Sequence, residues 1–203
     1  MLHWFQAIRY PFLSGIYLPF KIYHPTGIKV REGANITLSG RLTFGTPDKN
    51  KAIVSRLPIN FFVGKQATLK IGHSVSIGPG VNIIIKDNAA LTIGESTYFT
   101  SDLHLEAVNK IEIGSNCAIS WGATIIDDHH HQLLPKSPLD SNKKNVKIGD
   151  HVWVGCNVTI LAGAQVGNNC VIAAGSVVRG VFPDNVLIAG NPAKVIKQAV
   201  NWE

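Results

Sequence analysis

The stretch IGDHVWVGCNVTILAGAQVGNNCVIAAGSVVRGVFP, residues 148–183, carries aliphatic residues at Ile148, Val154, Ile160, Val166, Ile172 and Val178, six apart without a slip. The second place of each hexad is mostly tiny (Gly149, Gly155, Gly167, Ala173), with Leu161 and Arg179 as exceptions. The fifth place (Val152, Val158, Ala164, Cys170, Ser176) is small or branched, so each hexad reads as a short strand followed by a tight corner. An amphipathic helix spaces its apolar residues by three and four, and an ordinary strand alternates throughout; neither produces sixes. A short fixed period means stacked units that bury a core only together, and hexapeptides are the mark of a parallel β-helix. Three hexads make one triangular coil with sides of roughly 20 Å, at about 3.3 Å per residue.

Outward from this stretch the period continues. Val30, Ile36 and Leu42 open it, Gly45 to Pro58 reads as an insertion or distorted coil, Val63-Gly64 restarts it, and Ile71, Ile77 and Ile83 continue it. After a slip at Lys86 to Ala89 come Ile93 and Phe99, then Ile113, Ile119 and Ile125, for about six or seven coils in all. Between Ile125 and Ile148 the chain leaves the coil and returns, and this excursion holds Asp127-Asp128-His129-His130-His131. Loops projecting from a rigid scaffold are where function concentrates. Beyond Val178 the period stops, and Pro192 to Glu203, with Ala193, Val195, Ile196 and Val200, reads as a short tail helix or cap. The expected organisation is an N-terminal segment, 1–29, packed on the first coil, a β-helix domain, 30–183, with a loop at 129–146, and a tail, 184–203.

Only 16% of the 203 residues are charged and 45% are hydrophobic, which excludes a disordered chain. The net charge of +6 suits an acidic partner, but the basic residues are dispersed, which speaks against nucleic acid. Cys117, Cys156 and Cys170 occupy hexad positions without CxxC spacing; they read as small core or corner residues of a reducing cytoplasm. Leu2 to Phe20 is apolar, yet Arg9, Pro11, Gly15 and Pro19 interrupt it, short of the roughly 20 apolar residues that span a bilayer. Its other reading is peripheral contact with a membrane through Trp4, Phe5, Tyr10 and Phe12.

The run from Ile148 to Asn157, then Ala173 to Val178 and Gly190-Asn191-Pro192-Ala193-Lys194, resembles the hexapeptide-repeat acyltransferases, nearest to sugar O-acetyltransferases and xenobiotic acetyltransferases. The resemblance implies an all-β fold, a left-handed parallel β-helix, assembled as a homotrimer and using acetyl-CoA, with no metal required. It implies a donor channel lined by small corners, here Gly155, Ala173 and Ala174. Lys194 matches the basic residue that meets coenzyme phosphate, with Lys197 and Arg179 as auxiliaries. Trp153 reads either as a core-edge aromatic or as a wall of that channel, and Trp121 likewise as core edge or acceptor wall.

Acylating a hydroxyl from a thioester needs a base for the hydroxyl proton, and histidine titrates near the working pH. Trp121 to His131 is similar to the family's Trp-x-x-x-Ile-x-Asp-x-Asp-x-His pattern, which places the base at His131 and keeps Asp127 as an orienter. His129 stands where the family commonly has Asp, so it is either a substitute orienter or the base itself. The expected activity is O-acetylation of a sugar hydroxyl in a polysaccharide unit or precursor, with an antibiotic hydroxyl as the alternative acceptor. A zinc hydratase using His129, His131 and one of His73, His104 or His151, and a non-catalytic scaffold, are the readings from other classes. His151 and His73, at outward hexad places, are expected to be exposed.

Overall fold

A computed structural model describes residues 20–23, 26–45, 57–128 and 145–203. Among them every regular element is a strand, and each successive strand from β1 to β22 steps to the next of three sheets, numbered here in chain order. The first face holds β1 (Phe20–Ile22), β4 (Leu42–Phe44), β7 (Val75–Ile77), β10 (Tyr98–Phe99), β13 (Ala118–Ile119), β16 (Trp153–Val154), β19 (Val171–Ile172), β22 (Val186–Gly190) and β23 (Ala193–Gln198). The second holds β2 (Thr26–Val30), β5 (Ile59–Val63), β8 (Asn82–Ile85), β11 (His104–Ala107), β14 (Thr124–Ile126), β17 (Thr159–Ile160) and β20 (Val177–Val178). The third holds β3 (Asn35–Leu38), β6 (Thr68–Ile71), β9 (Ala90–Ile93), β12 (Lys110–Ile113), β15 (Val146–Ile148), β18 (Gln165–Val166) and β21 (Val181–Phe182). The result is a left-handed parallel β-helix of seven three-sided coils among the described residues.

The six-residue period becomes three apolar ladders inside the prism. On the first face Phe44, Ile77, Phe99, Ile119, Val154, Ile172 and Ile188 lie in register, all buried. Phe61, Ile83, Leu105, Ile125, Ile160 and Val178 do the same on the second. Each such side chain contributes about 1.5–3 kcal/mol by leaving water, so the column of repeats is held by sheer number. The tiny second hexad residues have a particular cause: a Cβ on Gly149 would lie 2.7 Å from the Gly167 carbonyl carbon, and one on Gly167 2.6 Å from Asp184 N. Adjacent coils touch there through their backbones. Positive φ falls instead two residues later, at His151, Asn169 and Asn185 (54–60°), where side chains that favour left-handed backbone stand.

Three expectations change. Val30, taken as the start of the domain, ends β2, and β1 pairs with β4 from Phe20, so the first coil begins within the expected N-terminal segment. The tail helix is replaced by β23, which turns back at Gly190 and pairs antiparallel with β22. β22 otherwise presents an unpaired edge, and Val195 and Ile196 are β-branched residues suited to covering it. His151 is half-buried rather than free on the surface, because the chain's end folds over it.

The insertion at 46–56, residues 1–19 with their membrane reading, and 129–144 lie outside the described residues. No helix among the described residues is long and apolar enough to cross a membrane.

Candidate active site

The edge between the first and second faces stacks small residues coil upon coil. The parallel ladder carries on past the strands: Ser120 N donates to Val154 O (2.9 Å), Gly155 N to Ile172 O (2.8 Å) and Ala173 N to Ile188 O (2.8 Å). Ser120, Gly155, Ala173 and Ala189 are thereby level, and Ala189 pairs with Lys194 on β23. A Cβ at Gly155 would sit 2.7 Å from Ala174 N, so a larger residue would force the coils apart. Gly175, at φ +70°, has open space where its Cβ would be. The edge is therefore tight between coils at Gly155 and open on its outer side at Gly175.

Two aromatics flank this edge. Trp121 stands at the corner itself, 49% exposed, and Trp153 on the first face, 43% exposed. Both rings therefore stand outside the core. Trp153 Nε1 donates to Ser120 Oγ at 3.3 Å, which ties its indole to the edge. Trp121, Trp153, Gly155, Ala173, Ala174 and exposed Lys194 are thus brought to one place. Lys197 lies farther across the first face, in register with Leu187. Arg179 follows β20 at the opposite edge of the second face, away from Lys194.

That opposite edge is where the histidine excursion leaves. Asp127, fully buried, caps the corner below: its Oδ1 accepts Val108 N (2.7 Å) and its Oδ2 accepts Asn109 N (2.8 Å) and Lys110 N (2.6 Å). Burial pushes its carboxyl up from the ordinary carboxylate range, while the three N–H groups pull the other way. The slip at Lys86 to Ala89 falls at the same edge, between β8 and β9. His129, His130 and His131 lie outside the described residues.

On the second face beside the excursion's root, Glu106 is level with Ile126 and pairs with Lys86 Nζ at 2.9 Å and His104 Nε2 at 3.7 Å. Asn82 Nδ2 lies 3.2 Å from His104 Nδ1. The sequence offered this cluster only as single residues; pairing across coils assembled it. Among the described residues no three His, Cys, Asp or Glu side chains gather as a metal site. Cys117 and Cys170 are buried, and burial raises both thiols, Cys117 to about 11, so neither is a poised nucleophile.

Trp202 is the functional-site neighbour that sequence reading missed. Its Nε1 donates to His151 O at 2.9 Å, its ring stacks on the His151 imidazole (4.4 Å, 13°), and it lies 6.3 Å from Trp153. The available signal was a lone tryptophan in the tail, beyond the last hexad.

The family described as bacterial transferase hexapeptide (six repeats) matches residues 145–180. A putative acetyltransferase of Saccharomyces cerevisiae, YJL218W, is 31% identical over 87% of this chain and 85% of its own. The putative lipopolysaccharide biosynthesis O-acetyl transferase WbbJ of Escherichia coli K12 is 29% identical over 68% of this chain and 75% of its own. Among solved structures, the polysialic acid O-acetyltransferase OatWY superposes with a TM-score of 0.63 at 28% identity, covering 92% of this chain and 88% of that one. With its coils and small-residue edge in view, the chain belongs to the hexapeptide-repeat transferases. Within them it is an acyltransferase of the acetyltransferase group.

Proposed function

We propose that this acyltransferase moves an acetyl group from acetyl-CoA to a hydroxyl of a saccharide, a polysaccharide unit or its precursor, in the cytoplasm. The observation that carries the reading is the edge of Gly155, Ala173, Ala174 and Gly175, open on its outer side at Gly175, flanked by Trp121 and Trp153 and ended by Lys194. An arm rich in amides fits such an edge because backbone groups there are not shielded by side chains, and Lys194 offers a cation to phosphate. Acetyl-CoA supplies the acetyl group as a thioester. The two relatives named for lipopolysaccharide and polysialic acid favour a saccharide acceptor.

In this reading His131 takes the acceptor hydroxyl's proton as the oxygen attacks the thioester carbonyl, and returns it to the departing thiolate. His129 is the alternative base. Asp127 orients the run by pinning its root to the 108–110 corner. The root and the small-residue edge lie at opposite edges of the second face, which favours a histidine from one subunit meeting the donor edge of another in a homotrimer.

The test is thiol release from acetyl-CoA with a panel of sugars, nucleotide sugars, oligosaccharides and antibiotic hydroxyl compounds, for wild type, His131→Ala and His129→Ala. Turnover with a saccharide, lost about a hundredfold or more in His131→Ala, is the expected result. Loss only in His129→Ala moves the base there; turnover only with a drug overturns the acceptor.

A further inference from the structure

The chain's last residues run back along the prism instead of leaving it. After β23, Ala199 turns at φ 53°, Val200 N donates to Asn185 O (3.1 Å), and Trp202 reaches His151. Asn185, Asn169 and His151 form a side-chain ladder down the edge between the third and first faces, with Asn169 Nδ2 donating to Asn185 Oδ1 (3.1 Å) and His151 Nδ1 3.2 Å from Asn169 Oδ1. The tail follows this ladder to the point where Trp202 lies flat on His151.

Trp202 then faces Trp153 at 6.3 Å with planes tilted by 47°, within the range of a favourable aromatic pair. Trp153 stands outward on a two-residue strand between Ala118 and Val171 of the adjacent coils. An indole on such a face would have several rotamers open to it. Here it is held from two sides: Trp202 against its ring, and Ser120 Oγ accepting from its N–H at the donor edge. The carbonyl of His151 in turn fixes Trp202 through its own N–H.

We propose that Trp202 is a positioning residue, a clamp at the end of the chain that orients Trp153 and so shapes the donor groove. The functional half of this rests on Trp153 being a wall of that groove; the orienting half does not. A merely structural Trp202 would seal the edge, and its loss would lower stability without touching donor affinity.

The experiment labels the full-length protein with 5-fluorotryptophan and reads Trp153 by ¹⁹F NMR, assigned by its disappearance in Trp153→Phe, in wild type, Trp202→Ala and Trp202→Phe. Steady-state kinetics are taken on the same proteins, on Trp153→Ala and on the double Ala variant. The expected result is a shifted or broadened Trp153 resonance in Trp202→Ala and a KM for acetyl-CoA raised about two- to tenfold at unchanged acceptor KM. Trp202→Phe, which keeps a ring on His151, guards against a folding defect and should fall between. The double variant should match Trp153→Ala alone, because a residue acting through another adds nothing once that other is gone. An unmoved Trp153 resonance, or strictly additive losses, overturns the clamp. If the resonance moves but Trp153→Ala leaves the donor KM unchanged, the donor-wall reading is what fails.

Discussion

Cys117 shows how far a single residue's character depends on its coil. Its thiol is buried, donates to Gly149 O at 3.2 Å, and is pushed up from 9.0 to about 11. Because the folded value lies above the unfolded one, its contribution to stability is complete below pH 9 and is lost as pH rises through 11. Two units correspond to about 3 kcal/mol at most. Chemical denaturation at about pH 8 and pH 11 should therefore show an alkaline loss in wild type that is clearly smaller in Cys117→Ala. Asp127 makes the complementary case: in Asp127→Ala the three N–H groups of 108–110 lose their acceptor, at about 2 kcal/mol, whereas Asp127→Asn keeps an acceptor and should lose less in thermal melts. That Cys117 is a small core or corner residue was legible from its hexad place. That Asp127 is spent on a neighbouring coil was not, since its partners lie 17 to 19 positions earlier.

Among elements, β23 carries the sharpest difference between expectation and structure. Hexad spacing ends with Val178, and nothing local to Ala193–Gln198 says that an open sheet edge waits for it. The pairing of Val186↔Gln198 through Gly190↔Ala193 closes that edge and places Lys194 level with Ala189, one strand beyond the Ala173 corner. Truncation after Gly190 should expose β22 as an unpaired strand, so the shortened chain should associate end to end and melt earlier. Light scattering against concentration reads this directly; a truncated chain with the full-length protein's scattering and melting point would mean that β23 does not protect the edge. Regular strands were easier to foresee, because each hexad names its own inward residue.

For the whole molecule, subunit number is the open quantity with functional weight. The second face separates the donor edge from the excursion's root, and outward Ile84 and Ile126 on it are half-buried rather than water-facing polar residues. A homotrimer of 22.0 kDa chains should give a light-scattering mass of about 66 kDa. A 22 kDa particle with full activity would show that one chain completes the site by itself, and the groove between subunits would have to be abandoned.

The sequence by itself determined the prism: the period of six, the three inward ladders and the small residues at the corners. These properties repeat locally, so each is written in the few residues that carry it. Tertiary structure alone decided which edge each residue faces, that Lys194 and Arg179 part company, that the tail is a strand, and that Trp202 comes to rest against Trp153. Those outcomes are contacts between coils, often tens of residues apart, and register across turns and excursions sets them rather than any motif; a solenoid makes its core by repetition and its site by alignment.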